Sequence, residues 1–155
     1  MKGAVVYHSK YGNCKQVAES IAGGLAESGY VVSLLEVSSV EALDSGLDFL
    51  AAGSPTRVGK ATGAMRKFIK QKVGKGWTGK PYAAFGTGMK DKGEKTQPKG
   101  ADQIASLLRE KGLLPLAPPF NAHVTGMKGP LDEGELERAA QYGRDLAAAL
   151  NQVKR

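Results

Sequence analysis

A chain of 155 residues, 41% of them apolar, can bury a real hydrophobic core, and one domain spanning 1–155 is the expectation. Its longest apolar runs are a few residues, so no membrane insertion is expected. Its single cysteine excludes an intrachain disulfide and a cysteine-based metal cluster and fits a reducing, cytoplasmic setting. The net charge of +7 is unevenly spread: residues 57–99 hold 12 Lys/Arg against 2 Asp/Glu, and the rest of the chain holds 10 against 13. Such a field draws acidic partners or anions. Nucleic acid is the other suspect for a basic chain. Phe68, Trp77, Tyr82 and Phe85 make no stacking platform, there is no helix-turn-helix or zinc finger, and no nucleic-acid partner is expected.

The elements alternate along the chain. Residues 3–7 read as a first strand rather than a signal peptide, because the apolar run is too short for one. Residues 13–28 read as a helix, with Asn13 as N-cap, Val17, Ile21 and Leu25 on one face, and Gly29 at the C-terminal stop. A strand over 31–37 and a short helix over 40–44 follow, then an apolar strand over 47–52 that ends at Gly53. The spacing of Met65, Phe68, Ile69 and Val73 predicts a helix over 63–72. Residues 81–85 read as a strand ending in Gly86-Thr87-Gly88, with a polar loop over 89–100. Ile104, Leu107 and Leu108 mark the inner face of a helix over 101–111. Residues 113–124 are extended but broken up by Pro115, Pro118 and Pro119. The last helix is expected over 132–150, with Leu136, Ala140, Gly143, Ala147 and Leu150 as its close-packed stripe.

Strands alternating with helices in this way predict an α/β fold: a three-layer, doubly wound, five-stranded parallel sheet. Ligands of such sheets bind at the carboxyl ends of the strands. Three loops from those ends, 8–14, 53–62 and 86–100, are richest in Gly, Ser, Thr and Pro. The first runs into a helix whose leading N–H groups have no partner inside it and carry the positive end of the dipole. Ser9, Asn13 and Cys14 surround that end, which makes it a candidate phosphate seat.

Other motifs are weaker. Residues 74–80 match GxxxxGK, but Pro81 stands in the Ser/Thr place and a strand follows where a helix should, so a Walker A site is rejected. Trp77 there reads as a surface anchor. Cys14 at a helix start is a candidate low-pKa thiol, although a small residue in a phosphate loop is the simpler reading. His8 and His123, the only histidines, have no ligand cluster near them, and neither a metal site nor a catalytic residue is assigned. A phosphorylated receiver domain is excluded, since His8-Ser9 and Gly53-Ser54 stand where its acidic residues would be.

Taken together, the three loops resemble those of the flavodoxin family. Ser9-Lys10-Tyr11-Gly12-Asn13-Cys14 is similar to its phosphate loop, usually T/S-x-T-G-x-T. Ser54-Pro55-Thr56-Arg57-Val58-Gly59, after Gly53, is similar to its GSPT loop, and Gly86-Thr87-Gly88-Met89, after Phe85, to the start of its third. The resemblance covers nearly the whole chain. It implies strand order 2-1-3-4-5, FMN as cofactor, and electron transfer between redox partners rather than substrate turnover. The first loop would hold the FMN phosphate, and the other two would wall the isoalloxazine ring. The chain departs from the family at Tyr11 and Cys14, which replace threonines, and in its basic charge. It also offers no stacking aromatic at Arg57-Val58 or Met89-Lys90. A basic protein implies an acidic redox partner, and the basic loop 89–99 reads as a lid beside the flavin that docks it. The alternatives are a small NAD(P)H-dependent FMN oxidoreductase and an interaction module that binds FMN weakly.

Overall fold

The computed structural model describes residues 1–91, 93 and 96–153. Part of the expected lid, Lys92, Glu94 and Lys95, lies outside the described residues.

The central strands carry continuous apolar runs, Ala4–Tyr7, Phe49–Ala52 and Tyr82–Phe85, so alternate residues feed two different cores. In β1 (Lys2–Tyr7), Ala4 and Val6 face one cluster while Val5 and Tyr7 face the other. In β3 (Phe49–Arg57) Leu50 and Ala52 oppose Phe49 and Ala51, and in β5 (Pro81–Met89) Tyr82 and Ala84 oppose Ala83 and Phe85. Helices α2 (Gly63–Lys72) and α3 (Gly100–Glu110) cover the first face through Met65, Phe68, Ile69, Ile104 and Leu108. Helices α1 (Asn13–Glu27) and α4 (Glu135–Val153) cover the second through Val17, Ile21, Leu25, Leu146 and Leu150. The result is the expected three-layer sandwich.

The parallel order is β2 (Val31–Glu36), β1, β3, β5, then a fifth position. That position is filled in two pieces, β6 (Leu114–Pro115) and β7 (Phe120–Val124), both parallel to β5. The expected order 2-1-3-4-5 holds, with the prolines at 118–119 dividing the fifth strand. The unexpected piece is β4 (Lys60–Ala61), which turns back antiparallel on the end of β3.

The structure corrects several expectations. Strands β3 and β5 run on through Ser54-Pro55-Thr56-Arg57 and Gly86-Thr87-Gly88-Met89, where the sequence alone suggests loops. Pro55 is tolerated in a central strand because of its side of the backbone. The Gly53 carbonyl accepts the His8 N–H, so residue 55 faces the same way, where β1 has already ended. Residues 40–44 are not helical; a single 3₁₀ turn sits earlier, at Val37–Ser39. Helix α4 starts at Glu135 rather than 132, after a turn at Gly134 (φ 82°), and its buried face is Glu135, Ala139, Gly143, Leu146, Ala147 and Leu150, which keeps Gly143, Ala147 and Leu150 of the expected stripe. Leu136 is exposed. Trp77 is no surface anchor: it is wholly buried in the α2/α3 core, with the Lys80 ammonium 5.3 Å from its ring.

Candidate functional site

At the carboxyl ends of β1, β3 and β5 a cleft of about 210 Å³ opens between the strand ends. One end of it is the start of α1. The expected cap is corrected here. Gly12, at φ 91°, is the N-cap, and Asn13 is the first helical residue. The Gly12 N–H donates to Ser9 Oγ at 3.1 Å, which pulls the loop into a tight turn and leaves the Ser9 hydroxyl proton free to donate. The Gln16 N–H reaches the Gly12 carbonyl, so the N–H groups of Asn13, Cys14 and Lys15 precede the first intrahelical bond. Among the described residues no acceptor occupies them. A Cβ on Gly12 would meet no atom within 4 Å, so the seat in front of the turn is open.

The side walls are the extended ends of β3 and β5. Pro55, Thr56, Arg57 and Val58 line one, and Thr87, Gly88 and Met89 the other. Their spacing is fixed from beneath. The Ser54 Oγ, fully buried, donates to the Pro55 carbonyl and accepts the Thr62 N–H, and Thr56 Oγ1 accepts the Gly100 N–H at 2.9 Å. The Ala61 N–H donates to Gln103 Oε1 at 2.8 Å, tying the β3–β4 hairpin to α3. Gly53 has no side chain where the Phe85 ring crosses it. Thus Ser9, Lys10, Tyr11, Asn13, Cys14 and the seven wall residues above meet at one cleft. Gly12, Ser54, Gly59 and Gly86 do not line it: Gly12 shapes the turn, Ser54 and Gly86 lie behind the walls, and Gly59 faces Pro98.

Two further residues line the cleft, Val124 and Met127. They come from the end of β7 and the segment after it, a strand-end loop that the three-loop reading leaves out. Its signal is Gly126-Met127-Lys128-Gly129-Pro130, as rich in Gly and Pro as the other three loops. The segment is pinned to α1, because Asn13 Nδ2 donates to the Lys128 carbonyl at 3.1 Å and a Cβ on Gly129 would collide with the Asn13 side chain. An aromatic ring also reaches the cleft, from the first loop instead of the second or third. Tyr11 is partly exposed there, with Lys10 Nζ 5.5 Å, the Arg57 guanidinium 5.9 Å and Lys128 Nζ 6.0 Å from its ring.

The remaining candidates are structural. The Cys14 side chain packs in the α1 core, and burial pushes its thiol well above the ordinary range; it is not the activated thiolate that a helix N-terminus suggested. His8 Nδ1 lies 2.8 Å from Thr62 Oγ1, joining the first loop to the start of α2. The His123 N–H donates to Glu135 Oε2. Among the described residues no three of His, Cys, Asp and Glu gather as a metal site, and no helix is long and apolar enough to cross a membrane.

The cleft can therefore hold a phosphate monoester on unpaired N–H groups and a hydroxyl, with a flat apolar body between two backbone walls. The donor chemistry and the open seat at Gly12 fit FMN. The flavodoxin domain family matches residues 4–137. The fold is similar to that of a flavodoxin from the domain Archaea, with a TM-score of 0.77 and 27% identity over 100% of both chains. It is also similar to oxidised flavodoxin 1 from Bacillus cereus, with a TM-score of 0.76 and 19% identity over 96% of this chain and 98% of that one. A cysteine-to-serine mutant of flavodoxin from Pseudomonas aeruginosa gives a TM-score of 0.78 and 22% identity over 97% of this chain and 99% of that one. No curated protein matches the chain by sequence.

Proposed function

The chain belongs to the flavodoxin family, and on that premise we propose that it binds FMN in this cleft and carries electrons between protein partners in the cytoplasm. The observation that carries the proposal is the coincidence of an open anion seat with two backbone walls at the same strand ends.

The N–H groups of Asn13, Cys14 and Lys15 and the Ser9 hydroxyl donate to the phosphate, in the positive field of α1. Cys14 contributes its backbone, since its thiol is turned into the core. The 55–58 and 87–89 walls take the ring between them and offer backbone donors and acceptors to its polar edge. Met89 and Tyr11 supply apolar and aromatic contact, and the Arg57 guanidinium offers a positive charge to whatever negative charge the ring acquires. When bound, FMN supplies the redox chemistry, while the residues around it orient it and limit access to it. The basic field of residues 57–99 favours an acidic redox partner.

The test is titration of the apo-protein with FMN, with riboflavin as control. Sub-micromolar FMN binding and much weaker riboflavin binding support the reading. No binding, or equal binding of both, overturns it in favour of an interaction module. A second reading, an NAD(P)H-dependent FMN oxidoreductase, is favoured by one observation. A groove of about 630 Å³ adjoins the cleft, shares Thr56, Val58, Gly88 and Met89 with it, and is also lined by Lys90 and Lys99. Anaerobic mixing with NADPH separates the two: rapid reduction of the flavin would replace the carrier by the enzyme.

A further inference from the structure

A separate cavity, of about 360 Å³, lies on the α3 side of the sheet where the fifth strand is interrupted. β6 pairs with Pro81 and Tyr82, and β7 resumes at Phe85, so Ala83 and Ala84 have no strand partner on that side. Residues 116–119 leave the ladder between the two pieces, and Tyr142 Oη pins them by donating to the Pro118 carbonyl at 2.8 Å. The run from Pro115 to Pro119 makes one wall, and the small side chain of Ala105 on α3 leaves room opposite it. The cavity shares no lining residue with the cleft at the strand ends or with the groove beside that cleft. Tyr82, on its floor, stands five residues before Thr87 of the cleft wall, roughly 16 Å along the strand.

Two polar side chains line this apolar frame, and the fold uses neither. Tyr82 is only 3% exposed, yet among the described residues its hydroxyl has no hydrogen-bond partner, and it is not sealed from solvent. Burial holds the phenol above its ordinary pKa, so at neutral pH it is a donor. Arg109, one turn along α3 from Ala105, is close enough for its charge to act on that phenol. Among the described residues its guanidinium makes no hydrogen bond and no ion pair. It is not needed as a helix cap, because the N–H groups of Lys111, Gly112 and Leu113 already take the last carbonyls of α3. No acidic residue lines the cavity. We propose that this gap binds a small carboxylate with an apolar body, one oxygen accepting from Tyr82 Oη and the other from the Arg109 guanidinium, with the body against the proline wall. A few placed polar groups in an apolar cleft are what orients a small ligand, and a charge-assisted bond fixes its ionised end. Inorganic phosphate would satisfy the two donors and leave the proline wall wet. A neutral isostere would cover the wall and lose the charge. The inference does not rest on the flavin reading, since the two sites are separate.

The experiment titrates the full chain with hydrocinnamate, with and without saturating FMN, and follows backbone amide chemical shifts and calorimetric heats. Shifts are expected at Ala105, Leu116 and Ala117 in both cases. Hydrocinnamamide, the neutral isostere, should bind wild type roughly tenfold more weakly than the acid. Arg109→Gln should weaken the acid roughly tenfold and Tyr82→Phe by a smaller factor, and both should leave FMN affinity unchanged. The same spectra show whether each variant is folded, and the comparison of acid with amide on wild type needs no variant. Equal binding of acid and amide, or shifts confined to residues 9–14, would overturn the site. So would displacement of the acid by an equal concentration of inorganic phosphate, unaltered binding in both variants, or no shift at millimolar acid. Should the chain hold no FMN, the titration without it still decides the site, so the two readings fail separately.

Discussion

At the scale of single residues, Val58 is the clearest departure from what backbone physics prefers. Val58 and Gly59, at φ 50° and 75°, form the two-residue tip of the β3–β4 hairpin. Turns of this kind favour Asn-Gly, because both central residues must be left-handed. A valine there costs on the order of 1–2 kcal/mol and makes almost no buried contact in return. Val58→Asn should therefore raise stability by roughly 1 kcal/mol, read as a higher denaturation midpoint; an unchanged or lower midpoint would mean the turn is relaxed as it stands. Gly12→Val runs the other way. It would place a branched side chain at φ 91° in the open seat, so FMN affinity should collapse, with a stability loss of about 1–3 kcal/mol. Retained affinity would show that the phosphate sits elsewhere. Cys14 yields a third expectation: with its thiol buried and protonated, it should resist thiol reagents at neutral pH until the protein is unfolded. The Gly-x-x and Ser-Pro-Thr composition of the loops was legible as a candidate site. The backbone angle of Val58 and the inward turn of Cys14 were not, because both depend on which way the chain leaves the previous strand.

At the scale of elements, the two helices on the second face are held by an unusually close crossing. A Cβ on Gly24 would fall on the Ala140 carbonyl oxygen, and one on Gly143 on the Ile21 carbonyl oxygen. Gly24→Ala or Gly143→Ala would force α1 and α4 apart and should cost roughly 3 kcal/mol, measured by denaturant titration. A cost below about 1 kcal/mol would mean the helices slide freely. The start of α4 is fixed by Glu135. Burial pushes its carboxyl up, but the His123 N–H and the Arg138 guanidinium more than offset that and hold it below the usual carboxylate range. A carboxyl lowered on folding contributes stability above its unfolded value of about 4.5, and that stability is lost as pH falls through the folded value. Glu135→Gln should therefore lower the midpoint at neutral pH and flatten its fall on acidification. An unaltered acid limb would remove Glu135 from the pH dependence. These devices explain where sequence periodicity failed. The 63–72 helix was legible to the residue, since Thr62 caps it and its apolar spacing is regular. The start of α4 was not, because Asp132 and Glu133 look like a helical first turn, whereas the Asp132 N–H is bound to the His123 carbonyl. The ends of β3 and β5 look like loops because Gly, Ser and Pro are poor strand formers, and only the register with neighbouring strands carries them on.

At the scale of the whole molecule, the charge of +7 is the sum of a basic stretch and a slightly acidic remainder, and folding changes what that division means. Part of the basic stretch is internally satisfied: Lys99 pairs with Asp91, and Lys80 donates to backbone carbonyls at Ser45 and Leu47. At the cleft mouth Arg57 Nη1 donates to the Thr56 carbonyl, but among the described residues Lys10, Arg57 and Lys128 make no ion pair, and Lys10 and Lys128 come from the nominally acidic remainder. The field an approaching partner meets is therefore set by tertiary placement more than by the linear charge run. It should steer an acidic partner to the mouth and be screened over a Debye length of about 10 Å at 0.1 M salt. The second-order rate constant for electron exchange with an acidic protein should fall steeply between low and physiological salt, while the rate with a small neutral oxidant stays flat. If the two fall together, salt is acting on FMN retention, not on encounter, and the titration repeated at each ionic strength would show it directly. If neither falls, the basic mouth has no part in bringing partners to the cleft.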